Sequence, residues 1–232
     1  MTTFIDPATG YEVRVIRKLI RRIYLRVREG KSVEVTAPRR VSEREIRDFV
    51  AGKTAWLTKY MALVPEKIKF QYVTGEIHHV FGRAYPLQVL LGPRDEAGIS
   101  SGGELQLVLR TKQSNREAIF KEGMKRILLW EIEKQLEIWT KRMAIPESRI
   151  TGVTIRVMKS RWGSCRSVTG RFSFALDLVT KPKECIEAVV VHELCHLFAA
   201  GHGPDFYARM ETYLPDYKER DRLLSSLPRE LV

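Results

Sequence analysis

An α+β fold is what this sequence predicts, and three observations predict it. Short β-prone runs broken by glycine fill residues 11–37 and 70–110. Two apparent capping boxes, opening at Ser42 and Ser114, each precede apolar residues at helical spacing. From Pro182 onward the pattern is helical, after two short strands.

The elements follow in chain order. Ile23, Leu25 and Val27 alternate with Tyr24, Arg26 and Arg28, and Glu29-Gly30-Lys31 turns the chain into Val33 and Val35, which makes a hairpin. That alternation sets Arg26 and Arg28 on the face away from the core. Ser42-Glu43-Arg44-Glu45 caps a helix with Ile46, Phe49, Val50, Trp56, Leu57 and Tyr60 in one stripe, ended by Val64-Pro65. Ile77 to Phe81, Tyr85 to Leu91 and Leu105 to Leu109 read as a β-meander, with breaks at Gly82, Gly92-Pro93 and Ser100-Ser101-Gly102-Gly103. Ser114-Asn115-Arg116-Glu117 opens a long helix to about Met143, with Phe120, Met124, Leu128, Ile132, Leu136 and Trp139 as its core stripe.

Ile150 to Met158 reads as a strand, Ser160 to Cys165 as a loop and Phe172 to Leu178 as a second strand. Pro182, at a position suited to the first helical residue, starts the next helix, and Gly203-Pro204 starts another. A soft boundary near Lys112–Ser114 divides the chain into a β-rich region with one helix, residues 1–112, and a core over 113–232, unless the two form one continuous domain.

Composition narrows the class. With 232 residues, 44% hydrophobic and 29% charged, the chain can bury a sizeable core and is not a disordered polymer. Cys165, Cys185 and Cys195 are odd in number and lack C-x-x-C spacing, which suits a reducing compartment. The start, Met1-Thr2-Thr3-Phe4-Ile5-Asp6, has no basic segment followed by an apolar run, and no window approaches a membrane span. The expected location is therefore the cytoplasm, with no membrane partner. The net charge of +12 is uneven. Ten basic residues face four acidic ones in residues 1–40, and eight face Glu147 alone in residues 141–171. Such stretches either keep a surface solvated or steer anions, including nucleotides and nucleic acid.

The chemistry concentrates in His192-Glu193-Leu194-Cys195-His196. On a helix each residue turns ~100°, so His192 and His196 lie about 40° apart on one side, one turn apart along the axis. Both imidazoles can reach one zinc ion at ~2.0–2.1 Å. Glu193 lies on the same side, where it can take a proton from a zinc-bound water and later return it to the leaving group. Burying His, Glu and His on a helix that follows Ala188-Val189-Val190-Val191 is costly without a shared partner. His202 is the favoured third ligand. A continued helix would carry it ~9 Å too far, so Gly201 is expected in the left-handed conformation that ends the helix. Glu211 and Glu219 are the competing carboxylates.

Other polar residues carry less. His78 and His79 point to opposite faces of a strand and cannot share an ion. Cys195 is expected in the core, and Cys165 in a basic loop. Asp205, Glu184 and Glu187 are candidate partners for the ligating imidazoles. Lys159, Arg161 and Arg166 are candidate substrate-binding residues, placed to bring positive charge to the cleft.

Arg161-Trp162-Gly163-Ser164-Cys165, the His192–His196 motif, His202-Gly203-Pro204-Asp205-Phe206 and the ending Leu214-Pro215-Asp216-Tyr217 resemble the YgjP-like family of metal-dependent hydrolases. That family is similar to the SprT-like zinc proteases. The resemblance covers most of the chain. It implies a zincin-like catalytic core in which the motif helix packs on a small sheet, with His192, His196 and His202 as zinc ligands, Glu193 as base and the Arg161–Cys165 loop near the cleft. Three readings of function follow. The leading one is a zinc metallopeptidase acting on peptide or protein. The alternative is a metal-dependent nucleotide pyrophosphatase, which the basic stretches favour. The third is a nucleic-acid-binding protein with structural zinc, against which Glu193 stands, since a base beside the ligands serves chemistry.

Overall fold

Val13, Val15, Val33 and Val35 occupy alternate strand positions, and all four are buried in the core of a four-stranded sheet. The chain, seen in a computed structural model that describes residues 2–28, 32–63 and 69–231, divides into two compact units, Met1–Lys69 and Phe70–Val232. The sheet belongs to the first unit. It is formed by β1 (Thr2–Ile5), β2 (Glu12–Lys18), β3 (Tyr24–Arg28) and β4 (Ser32–Pro38), in the order β1-β2-β4-β3. The expected hairpin is present, with Leu25 opposite Val35 and Val27 opposite Val33. Its turn, Glu29-Gly30-Lys31, lies outside the described residues. Arg26 is exposed while Leu25 and Val27 are half-buried, as alternation requires. The Arg28 side chain lies outside the described set.

The helical stripe expected from Ser42 is two helices, α1 (Glu43–Ala51) and α2 (Thr54–Leu63), because Gly52 ends the first. The capping box holds: Glu45 donates its N–H to Ser42 Oγ, and the Ser42 N–H bonds the Glu45 carboxylate. The break re-aims the stripe. Ile46, Val50, Leu57 and Met61 are buried, whereas Trp56 and Tyr60 stack on each other at 4.3 Å between ring centroids on the surface. The expected stop at Val64-Pro65 lies outside the described residues.

The second unit is built on α3 (Arg116–Arg142), whose Phe120, Met124, Leu128, Ile132, Leu136 and Trp139 are all buried. The N-cap is Asn115, which accepts from the Ala118 N–H, so the expected box is displaced by one residue and Ser114 bonds Thr111 instead. Against α3 lies a sheet of β5 (Ile77–Val80), β6 (Arg83–Leu91), β7 (Glu96–Ile99) and β8 (Leu105–Leu109), ordered β5-β6-β8-β7. This is not the simple meander expected. The strand β7 intervenes, and β8 runs parallel to β6 with Leu87 opposite Leu105 and Leu91 opposite Leu109. The sequence of β7, Glu-Ala-Gly-Ile, has weak strand propensity. Its pairing with β8 and its seat on α3 hold it, and a Cβ on Gly123 of α3 would overlap the Ala97 carbonyl. Leu105, Leu107 and Leu109 share one core with Phe120 and Met124, and the compact units part at Lys69–Phe70.

A third sheet, β9 (Gly152–Arg156), β10 (Gly163–Arg166) and β11 (Arg171–Ala175), has the order β10-β11-β9. β10 and β11 form an antiparallel hairpin, and β9 runs parallel to β11. The second half of the expected Ser160–Cys165 loop is thus β10. A buried 3-10 turn, Leu176–Thr180, leads into α4 (Lys183–Cys195), for which Pro182 is the N-cap. Ala188, Val189, Val190 and Val191 are all buried, because α3, α5 (Pro204–Tyr213), α6 (Tyr217–Ser226) and β10 surround this helix. Among the described residues there are six α-helices and three small sheets. No described helix is long and apolar enough to cross a membrane.

Candidate metal centre

His192 and Glu193 ride the last turn of α4, and His196 is its C-cap, at φ −67° and ψ −13°. That residue keeps helical geometry, so its imidazole stays on the side of His192, one turn on. The chain then leaves the helix at once. Leu197, Phe198 and Ala199 donate back to the carbonyls of Leu194 and Cys195, so the chain turns off the helix axis before Gly201 and goes on bending through residues 200–203. Gly201 is not in the left-handed region, and a Cβ there would meet nothing within 4 Å. The expectation that Gly201 stops the helix is therefore corrected: helix α4 ends at Cys195. Gly203 caps α5 and Pro204 is its first residue, as the sequence indicates.

The reversal returns His202 to the other two histidines. Nε2 of His202 stands 3.0 Å from Nε2 of His192, and one nitrogen from each of the three rings lies within 4.8 Å of the others. Two nitrogens at ~2.0–2.1 Å from a tetrahedral ion stand roughly 3.3 Å apart; the His192–His202 pair is near that spacing, and the wider set must draw in by side-chain rotation to share one ion. His196 Nδ1 lies 3.1 Å from the Ala199 carbonyl, which fixes Nδ1 as the donor and leaves Nε2 free for a metal. Burial, with His196 and His202 close by, pushes the His192 imidazole down to about 4, so it stays neutral with a lone pair available. Asp205, Glu184 and Glu187 do not orient these rings. Glu187 accepts from Trp139 Nε1 and from Arg220, and the group that orients His196 is the Ala199 backbone carbonyl, which no sequence pattern marks. Glu211 pairs with Lys218, away from the cluster.

Phe206, on the first turns of α5, was missed from the sequence. It is 1% exposed and its ring centroid lies 4.9, 4.8 and 4.7 Å from those of His192, His196 and His202. Its place four residues after His202, just past a helix start, was the available signal.

Glu193 is 4% exposed, and its Oε2 has no hydrogen-bond partner. Burial pushes its carboxyl up to about 7, against the opposing pull of the Arg161 charge and the Cys165 backbone N–H. The β10 backbone lies directly on it, since a Cβ on Gly163 would come 2.5 Å from Glu193 Oε1. A buried, unsatisfied carboxylate beside three imidazoles is expensive in an inert core and expected beside a metal.

The three expected substrate-binding cations separate. Arg161 borders a cleft of about 290 Å³ together with His192, Glu193, Val189, Phe206, Tyr207, Met210, Tyr217, Asp221 and Leu224. Lys159 and Arg166 do not reach it and line an adjoining groove, which Arg161 also borders. Cys195 is in the core, Cys165 is half-buried, and His78 and His79 bond Glu76 and Glu230.

Comparison with known proteins bears on this site. The family model described as YgjP-like, metallopeptidase domain, matches residues 21–227. Among solved structures, the metallopeptidase zymogen of Pyrococcus abyssi abylysin is similar at 24% identity, covering 44% of this chain and 99% of its own, with a TM-score of 0.37. The metallopeptidase zymogen of Methanocaldococcus jannaschii jannalysin is similar at 21% identity, covering 40% of this chain and 93% of its own, with a TM-score of 0.36. No curated protein matches the chain.

Proposed function

The chain belongs to the YgjP-like family, whose model is that of a metallopeptidase domain, and on that premise we propose that it is a zinc metallopeptidase with a zincin-like core. The observation that carries this reading is the convergence of His192, His196 and His202 beside a buried Glu193 carboxylate whose Oε2 has no hydrogen-bond partner. Three imidazoles are a donor set suited to zinc and would hold it for catalysis. When bound, zinc supplies a Lewis acid that polarises a scissile carbonyl and lowers the pKa of a water toward ~7.

The chain's own groups do the rest. Glu193 accepts a proton from the attacking water, whose oxygen adds to the carbonyl carbon, and delivers it to the nitrogen as the C–N bond breaks. Its burial holds the carboxyl near neutrality, where taking and returning a proton are both easy. Gly163 and the Cys165 N–H fix where that carboxylate can sit. The cleft walls Val189, Phe206, Met210 and Leu224 suit an apolar side chain of a peptide. A nucleoside triphosphate would need several cations around its phosphates, and among the described residues Arg161 is the one Lys or Arg on this cleft, which also holds Asp221.

The test is release of fluorescence from quenched casein by zinc-loaded protein, run beside phosphate release from nucleoside triphosphates. Proteolysis that the Glu193→Gln chain lacks is the expected result. Triphosphate hydrolysis without proteolysis would overturn the reading.

A further inference from the structure

We propose that the solvent face of the β10-β11-β9 sheet is a docking groove for an acidic stretch of polypeptide, which selects substrates by charge beside the catalytic cleft. The proposal rests on the peptidase reading and adds a substrate class to it.

The strand registers build the face. Ser164 stands opposite Ser173, and Ser173 opposite Thr154, so three hydroxyl residues form one row across the sheet. Thr154 and Ser173 are linked at 2.9 Å. Two residues along, on the same face, Arg166 stands opposite Arg171. On the other side of the row, Arg156 stands opposite Ala175. Phe172 and Phe174, at the alternate positions, are buried on the opposite face. Lys159 and Arg161, from the segment between β9 and β10, border the same groove, whose volume is about 760 Å³.

Five cations therefore line one groove with no Asp or Glu among its lining residues. Arg156, Lys159, Arg166 and Arg171 have no carboxylate partner among the described residues. Like charges gathered without counter-charges repel one another, and an anionic ligand relieves that. The spacing suits an extended polypeptide. Arg171 and Arg156 stand on adjacent strands four rungs apart, ~13 Å, the interval between every fourth side chain of an extended chain. Serine and threonine hydroxyls between them can donate to carboxylates or to peptide carbonyls. A single-stranded nucleic acid would call for exposed aromatic rings on which bases stack, and this groove has none, since Phe172 is 1% exposed. Continuity with the site comes through Arg161, which borders both groove and cleft; along β10, Gly163 faces Glu193 and the next residue, Ser164, faces the groove on the other side of the sheet.

The experiment is fluorescence anisotropy on the zinc-loaded full chain with three labelled probes: a short peptide of alternating glutamate and serine, the same peptide with glutamine for glutamate, and a single-stranded DNA of equal charge. The acidic peptide should bind at least about tenfold tighter than its glutamine counterpart at low salt, and the preference should shrink as salt rises. The double variant Arg166→Ser/Arg171→Ser should lose most of that preference, and Arg156→Gln, one exposed residue on a different strand, should lose part of it while the thermal midpoint stays at the wild-type value. Equal binding of the two peptides, a preference untouched by both variants, or tighter binding of the DNA would each overturn the proposal. Charge-selective binding with no proteolysis of any substrate would instead sink the peptidase reading and leave the groove as a peptide site. Proteolysis without charge preference would do the reverse.

Discussion

Gly163 and Glu193 are in direct contact: a Cβ on the glycine would stand 2.5 Å from Oε1, 2.8 Å from Cγ and 2.9 Å from Cδ of the glutamate. Gly163 is not in the left-handed region, so what the position requires is space. Gly163→Ala must push the carboxylate aside. A displacement of about 1 Å at a reacting group costs on the order of 10²-fold in rate. The expected result is a loss of that size in kcat with zinc content unchanged. Wild-type kcat in this variant would show that Glu193 need not sit where it does.

Removing the base itself is the sharper test. Glu193→Gln deletes a proton acceptor without deleting a ligand, so kcat should fall ~10²–10⁴-fold while zinc stays bound. The variant also removes a buried ionisable group whose Oε2 has no partner, so the thermal midpoint of the metal-free chain should not fall. Zinc content by atomic emission and a thermal melt check both halves.

Each imidazole of the cluster is expected to be indispensable to the metal. Loss of groups that merely orient a ligand weakens metal affinity ~10–100-fold, so His192→Ala, His196→Ala and His202→Ala should each weaken it by at least that much. Competition with a chromophoric chelator measures this. Full zinc retention by His202→Ala would remove it from the ligand set.

Gly201→Ala should be silent. The residue is outside the left-handed region and a Cβ would meet nothing within 4 Å, so stability should change by less than about 0.5 kcal/mol. Gly123→Ala makes the contrast. Its Cβ would overlap the Ala97 carbonyl and force α3 off the sheet, with an expected loss of about 1–3 kcal/mol in a denaturant melt.

Arg229 holds the segment that borders both cleft and groove. Its guanidinium donates to the carbonyls of Met158, at 2.7 Å, and Arg161, at 3.2 Å, and lies 3.7 Å over the Trp162 ring. Arg229→Ala should raise KM for a peptide substrate severalfold and lower stability by about 1–3 kcal/mol. An unchanged KM with lowered stability would confine Arg229 to a structural role.

What the sequence made legible was local. The Ser42 box and the same-side placement of His192 and His196 depend on residues within about one turn, and the α3 stripe repeats the same one-turn spacing along the helix. Pairings between distant segments were not legible. The parallel registers of β2 with β4 and of β6 with β8 leave no local mark, and β7 is held by its neighbours. Gly52 splits a stripe that periodicity alone reads as continuous. At the site, the spacing of His192 and His196 encodes their placement on one side of α4, whereas the return of His202 was expected through a left-handed Gly201 and comes instead from the turn after Cys195. The contact of Gly163 with Glu193 joins residues far apart in the chain and needed coordinates. Lys159 and Arg166 were placed in the cleft on charge alone, and strand alternation sends Arg166 to the sheet face.

Phe206 gives the cluster a mechanical coupling to α5. Its ring touches all three imidazoles, and Pro204 and Gly203 tie it within four residues of His202. If these three imidazoles hold a metal, its binding is tied to the start of α5, which carries Phe206. A metal titration would then read any ordering of the 197–206 segment together with the strength of the nitrogen–metal bonds. Amide hydrogen exchange at the start of α5 should slow when zinc is added, in proportion to the share of the metal's binding energy that goes into ordering that segment.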